Sequence, residues 1–369
     1  MKITDISTVA VDAEHGRTWF FIEISTDTGE IGIGEASQSR FDAGVALLVQ
    51  QLKPRLVGKH PMDLIEPLRA RVLHDPFADR TRYAAFSGIE QALWDLAGKA
   101  AGQPVHRLLG GAVADRVRLY ANINAAKKGN SPDELARVAA LPVAEGFTAV
   151  KMYPFVPAPG TVAGTPLRYE EMQLAIERVR AVRAAIGPEV DLLTDWAWTL
   201  TPADAMRMAD RLAEFDLWWI EEPYVVADPA ALAELRGRIR TRLAGGEQLQ
   251  GAYAFRGLFE ARALDVIMPD VKWIGGIAEM RNVCATAATY DVEVAPHNMS
   301  GPIATAASLQ VAVTLRNFSI LEYCWGSVPW RSALVRGSER IEDGYLVLPE
   351  TPGLGIEWDG EAARQHPVA

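Results

Sequence analysis

Apolar and polar positions alternate along ITDISTVAVD and again along TWFFIEIST, before a turn at Thr26-Asp27-Thr28-Gly29 leads into EIGIGEA. A period of two marks strands with one buried face, so the pattern predicts a small antiparallel meander. From Phe41 to about Gly110 the period lengthens to that of a helix. It is strongest in YAAFSGIEQALWDLAGKAAG, where Ile89, Leu93, Leu96 and Ala97 fall on one face. Residues 1–115 therefore read as an α+β unit.

Beyond it, short apolar runs alternate with amphipathic stretches: RLYANIN, FTAVKMY, VDLLTDW, LWWIEEP, TRLAGGEQ, DVIMPDV, VEVAPHN and FSILEYC. Eight strands separated by helices predict a closed parallel α/β barrel over about 116–326. Ser131-Pro132, Thr201-Pro202 and Asp228-Pro229 each pair an N-cap residue with proline at the first helical position, which sets where those helices start. The connection PFVPAPGTVAGTPLR, Pro154 to Arg168, is long and proline-rich and is expected to be a lid. The tail from 327 to 369 ends in GYLVLPETPGLGIEWDG, which reads as strand and is expected to return to the N-terminal unit.

Charge then changes the picture, because it appears inside these apolar strands. Lys151, Asp195, Glu221, Glu247, Asp270, His297 and Glu322 each stand at the C-terminal end of one strand, and from Asp195 onward they recur every 23 to 27 residues. Any one of them has an ordinary explanation as a helix cap or a surface ion-pair partner. Seven in phase do not, and in a barrel they converge on the mouth where such folds place their chemistry. Asp195, Glu221 and Glu247 lie on successive strands, so their like charges would repel unless a cation intervened. An oxygen-only donor set favours Mg²⁺, with Mn²⁺ second. Glu222 is expected to face away and is left outside that set. Asp270 beside His297 has the makings of an oriented general acid–base pair. Lys151 and Tyr153, two apart on one strand, share a face across the mouth from His297, and Lys272 is expected near the rim on the side of Asp270.

The chain has 369 residues and a formal net charge of −10, which argues against a broad basic surface for nucleic acid. No apolar run is long enough to span a bilayer and the N-terminus lacks a signal-peptide core, so a cytoplasmic protein is expected. Cys284 and Cys324 have no metal or redox spacing and read as reduced core residues.

The motifs taken together resemble the enolase superfamily and, within it, the mandelate racemase-like acid-sugar dehydratases and racemases. GIGEAS and GIEQALWDLAGKAAGQPVHRLLGG are similar to that family's capping-domain motifs, and LLTDW, WIEEP, GGEQ, MPDVKWIGGI, APHNMSGPI and LEY follow its barrel in order and spacing. The resemblance implies a (β/α)7β barrel, a TIM-like form, under an N-terminal α+β capping domain completed by the C-terminal tail. It implies Asp195, Glu221 and Glu247 as ligands of one Mg²⁺ per subunit, a His297–Asp270 dyad, and Glu322 as the group that stabilises or protonates an enediolate. Two positions depart from the family pattern. Its strand-two Lys-x-Lys is Lys151-Met152-Tyr153 here, and the asparagine two residues after the first ligand is Ala197.

The expected reaction is removal of a proton α to a carboxylate, followed by loss of water from a sugar acid to give a 2-keto-3-deoxy acid. Racemisation, epimerisation or cycloisomerisation is the alternative, and a non-catalytic carboxylate-binding protein on the same fold is the third reading. Lys151, Tyr153, Asp270, His297 and Glu322 are the expected catalytic residues. His15, Trp19, Trp196, Trp198 and Lys272 are the expected substrate contacts, with the loop from Ser37 to Phe41. A homo-oligomer acting on a small carboxylate, without nucleic acid or membrane as partner, is expected.

Overall fold

The computed structural model describes residues 1–14, 16–38, 41–155, 163–224, 228–336 and 339–368. Strands β1 (Ile3–Asp12), β2 (Thr18–Thr26) and β3 (Ile31–Glu35) form the antiparallel meander in that order. Helices α1 (Asp42–Leu56), α2 (Ile65–Leu73) and α3 (Arg80–Ala101) cover one face of it. The inward residues Ile6, Ile22 and Ile24 share one core with Ile89, Leu93 and Leu96 of α3, the stripe marked by the helical period. Asp79 caps α3 by accepting from Arg82 N at 2.9 Å, and Gly102 ends it in the left-handed region at φ 61°.

After the short α4 (Val105–Leu108), eight parallel strands alternate with seven helices among the described residues. They are β4 (Arg116–Asn122), α5 (Pro132–Ala144), β5 (Ala149–Met152), α6 (Tyr169–Ile186), β6 (Asp191–Asp195), α7 (Pro202–Leu212), β7 (Leu217–Glu221) and α8 (Pro229–Arg238). Then follow β8 (Arg242–Gly245), α9 (Gly251–Glu260), β9 (Val266–Ile267), α10 (Gly276–Ala288), β10 (Glu293–Val294), α11 (Pro302–Ala312) and β11 (Leu321–Tyr323). Pairing of β11 with β4 and a bridge from Val294 to Phe318 close the ring. Ser131, Thr201 and Asp228 cap α5, α7 and α8 through their side-chain oxygens, with proline next, as their spacing predicts. The barrel interior is filled: Tyr120, Leu193, Trp219, Val266 and Met268 are fully buried in one cluster, so the mouth has a solid floor.

The tail is split between the two units. Strands β13 (Ile341–Glu342) and β14 (Tyr345–Val347) form a hairpin, and β14 adds antiparallel to the N-terminal half of β4. Strand β12 (Val335–Arg336) pairs with β15 (Glu357–Trp358), and α12 (Gly360–Arg364) follows. There Trp358 Nε1 and Arg364 reach Glu23 of β2 at 2.7 and 2.6 Å. Cys284 and Cys324 are free and buried, with thiol pKa values pushed up by burial. No described helix is long and apolar enough to cross a membrane.

Two carboxylates of the N-terminal unit lock it to the barrel. Glu35, at the end of β3, accepts from Gly301 N and Ala304 N at 2.8 and 2.9 Å, where α11 begins. Glu90 of α3 accepts from Ile277 N, Ala278 N and Trp94 Nε1 at 2.7 to 2.9 Å, at the start of α10. Both use the free amides and positive end of a helix N-terminus. Gly276, at φ 85°, is required there because a Cβ would run into the Glu90 carboxylate. Burial raises the Glu90 pKa to about 7 against these donors. Glu90→Ala would leave one buried and two part-buried donors unpaired. A loss of about 3 kcal/mol is expected in urea unfolding, from a cost of ~1–3 kcal/mol per group. An unchanged midpoint would show that water replaces the carboxylate.

Candidate active site

Asp195 and Glu221 are the last residues of β6 and β7 and pair directly in register; Glu247 stands two residues beyond β8. One oxygen from each of the three lies within 4.8 Å of the others, and all three residues are buried. Local turns aim them. Asp195 Oδ1 accepts from Ala197 N at 2.8 Å, closing a tight turn that holds Ala197 and Trp198 at φ 47° and 57°. Gly246 adopts φ 97°, and a Cβ there would meet the Phe255 ring, so the Gly-Glu step at 246–247 depends on glycine. Glu222 is fully buried beside the triad, with Oε1 accepting from Gly246 N at 2.7 Å and Glu247 N at 3.3 Å. It aligns the backbone that carries Glu247 and is not one of the three grouped carboxylates.

Lys151 is sealed beneath this group. Its Nζ lies 2.6 Å from Glu221 Oε1, 2.7 Å from Glu322 Oε1 and 3.9 Å from Asp195 Oδ2. Asn122 Nδ2 and the amide of Asn298 bind the two oxygens of Glu322, each at 2.7 Å. Burial opposes ionisation of Glu322, but Lys151 and His297 outweigh it and hold the carboxyl at about 2. Asp195 is pushed up to about 6 by burial and by the charge of Glu247, despite Lys151. Glu221 is driven well up by burial and by Asp195 and Glu322. Three buried carboxylates, Asp195, Glu221 and Glu322, thus share one lysine, with buried Glu247 beside them, so negative charge exceeds positive in the cluster. An all-oxygen, anionic and buried donor set with that deficit fits a hard divalent cation.

His297 Nδ1 lies 2.7 Å from Asp270 Oδ2, which leaves Nε2 facing Glu247 Oε2 at 3.5 Å and Glu322 Oε2 at 3.9 Å. Burial disfavours the imidazolium, but Glu247, Glu322 and Asp270 outweigh burial and raise its pKa. Asp270 is held at about 2, since Lys272 and His297 more than offset its burial. Asp270 accepts from both the backbone N and the Nζ of Lys272, at 2.8 and 2.6 Å. The Trp273 ring stacks on His297 at 5.5 Å and carries the Arg80 guanidinium 3.5 Å from its centroid. Trp273 Nε1 donates to Ser37 O at 3.2 Å, so the N-terminal unit sits at the mouth end of the barrel, against the dyad.

Residues 3–110 match the mandelate racemase / muconate lactonizing enzyme N-terminal domain, and residues 134–363 match the enolase C-terminal domain-like family. The chain belongs to the mandelate racemase-like subgroup of the enolase superfamily. A D-xylonate dehydratase of Haloferax volcanii is 34% identical, over all of this chain and 89% of its own. A D-gluconate dehydratase of Thermoproteus tenax is 30% identical, over 94% of this chain and 69% of its own. The solved mandelate racemase/muconate lactonizing enzyme-like protein of a Roseovarius species is 33% identical, with a TM-score of 0.92 over 100% of this chain and 96% of that one.

Within this mandelate racemase-like frame, the structure brings Lys151, Asp195, Glu221, Glu247, Asp270, His297 and Glu322 into one buried cluster. Tyr153 stands just past β5 with its phenol pKa raised well above normal, first by burial and then by the charge of Asp195. Trp196 and Lys272 are placed away from the positions expected of them, and Trp19 is buried. Trp196 is fully buried, its Nε1 on Thr194 and its ring against Phe155, because the chain turns after Asp195 and directs the next side chain outward into the helix layer. Lys272 lies behind the dyad and not at the rim, with Nζ on Asp270 and the Ser300 hydroxyl. Trp19 is 4% exposed and packs edge-on to Trp330, beside Arg331. Trp198 is half-buried with Nε1 on Glu222, and His15 lies outside the described residues. Residues 156–162 of the expected lid and 39–40 of the Ser37–Phe41 loop are also outside them. Asn122, Asn298 and Arg80 carry no charge signal in phase with the strands. Asn122 nonetheless holds, at the end of β4, the position that charged residues hold on the other strands.

Proposed function

We propose that the protein is a Mg²⁺-dependent hydro-lyase that dehydrates a sugar acid to a 2-keto-3-deoxy acid. The observation that carries this reading is the 3.5 Å approach of His297 Nε2 to Glu247, which puts an oriented imidazole at the edge of the carboxylate triad. The named activities of the relatives, D-xylonate, D-galactonate, D-gluconate and arabinonate dehydratases, support the substrate class. Asp195, Glu221 and Glu247 would hold the metal, which when bound anchors a substrate carboxylate and favours negative charge on it.

The chain's own groups supply the rest. Lys151 and Glu322 flank the place where charge develops once the α-proton leaves, in a buried site where each contact counts for more than in water. His297, whose pKa its carboxylate neighbours raise, delivers a proton to the departing β-hydroxyl. Asp270 fixes which imidazole nitrogen faces the substrate, and Lys272 fixes Asp270. The N-terminal unit closes the mouth through Ser37, Arg80 and Trp273.

A panel of aldonic and aldaric acids assayed for 2-keto acid formation tests the proposal, and at least one five- or six-carbon aldonic acid is expected to react. Proton exchange with inversion at the α-carbon and no keto product would instead assign racemisation or epimerisation. Binding without exchange would assign a carboxylate-binding protein.

A further inference from the structure

Removal of the α-proton needs a base, and two of the nearby groups are unsuited to it. Lys151 is committed to Glu221 and Glu322 at 2.6 and 2.7 Å. The Tyr153 phenol is buried, which makes it a weaker acid than usual. His297, if it serves as the acid for the leaving hydroxyl, is protonated when the base must be neutral.

One amine on this side has no ion pair among the described residues. Lys127 lies just after β4, half-buried, with Nζ 5.6 Å from the Tyr153 ring centroid. Asn124 Oδ1 accepts from Lys127 Nζ at 3.1 Å and from Tyr153 N at 3.2 Å, so the amine is tied to the end of β5. The same Asn124 donates to Asn122 at 2.7 Å, and Asn122 donates to Glu322 at 2.7 Å, a chain that fixes the loop against the catalytic cluster. Among the described residues no carboxylate forms an ion pair with Lys127, and the charged or titratable groups facing it are Tyr153 and Arg178. The Arg178 guanidinium is anchored on the carbonyls of Pro154 and Asn130. A half-buried ammonium without a counter-ion, next to a second cation, releases its proton readily.

We propose that Lys127 is the base that takes the α-proton, on the β5 side of the mouth, an assignment that rests on the dehydratase reading. The α-C–H bond breaks, its proton passing to neutral Nζ and its electron pair into the enediolate. The β-C–O bond then breaks and the hydroxyl leaves as water with the proton of His297. The enol ketonises, and Lys127 loses and His297 regains a proton through solvent. Burial and Arg178 bring the Lys127 pKa down to about 8, which fits this task.

The Mg²⁺-loaded enzyme is assayed in D₂O with an acid sugar it dehydrates. Lys127→Met is expected to slow both α-exchange and keto acid formation by roughly 10²-fold or more. Lys127→Arg, which keeps the charge but not an amine that titrates near neutrality, is expected to remain equally slow. Wild-type kcat/KM should rise with pH toward about 8 as Lys127 loses its proton, and fall again once the His297 imidazolium is lost. Near wild-type turnover in Lys127→Arg would show a positioning cation only and overturn the proposal, as would unchanged exchange in Lys127→Met. If the wild type converts no acid sugar, the dehydratase reading fails on its own. Lys127 is then judged by competitive amine labelling of the folded wild type against the exposed Lys128. Titration well below Lys128 supports the assignment, and coincidence with Lys128 overturns it.

Discussion

Exhaustive chelation is expected to abolish keto acid formation, and Mg²⁺ to restore it and to stabilise the fold by an amount that grows with pH. The reason lies in the carboxylates at 195, 221 and 247, buried within 4.8 Å of one another with too little positive charge around them. Asp195 has its carboxyl raised from 3.8 to about 6 in the folded protein, so folding without metal favours the protonated form. That contribution is fully present below about pH 3.8 and is lost as pH rises through about 6. At neutral pH the loss from Asp195 alone is on the order of 3 kcal/mol, and Glu221, raised for the same reason, adds to it. A bound divalent cation reverses the sign of this term, because it favours the ionised carboxylates. Thermal unfolding with EDTA and with Mg²⁺, at pH 5 and at pH 7.5, checks this: the gap between the two curves should be wider at pH 7.5. A melting temperature indifferent to Mg²⁺ at both pH values, with activity retained in EDTA, would remove the metal from the mechanism.

The barrel and most of its polar floor were legible because two periodicities coincide. Strand alternation sets which side chains face inward, and the spacing of the βα units brings one charged residue per strand to the same end. The reading weakened where regular strand stops. Trp196 follows Asp195 at a turn, so the alternation that identifies Asp195 says nothing about its neighbour. Lys272 is expected near the rim on the side of Asp270, but β9 ends at Ile267, and the amides of Trp273 and Ile274 fold back onto Asp270 O. The turn brings Lys272 onto Asp270 itself. Glu35 and Glu90 had no local signal at all. Their partners are amides about 190 to 270 residues away, at helix starts whose sequence does not advertise a distant carboxylate. Asn122 and Asn124 escaped notice for a different reason. They are neutral, and charge was the property that made the strand ends conspicuous.

Substituting His297 by asparagine should divide the reaction into its two proton transfers. The amide keeps a donor where Nδ1 faces Asp270 and removes only the outer part of the ring that stacks on Trp273 at 5.5 Å. It has no proton to give at neutral pH. Dehydration is therefore expected to fall by about 10³-fold, within the range that general acid catalysis supplies. Glu247 and Glu322 raise the His297 pKa in the wild type, so activity should decline with rising pH once the imidazolium is lost, and the variant's residual rate should lack that decline. With Lys127 as base, α-deuterium exchange persists in the His297→Asn protein while product formation stops, and the double variant with Lys127→Met loses both. Loss of exchange together with dehydration in His297→Asn alone would instead make His297 the acceptor of the α-proton and the donor to the hydroxyl, an elimination on one face that leaves Lys127 no chemical step. Undiminished dehydration would release His297 from the reaction, and Asp270 and Lys272, which act only through its imidazole, would lose their roles with it.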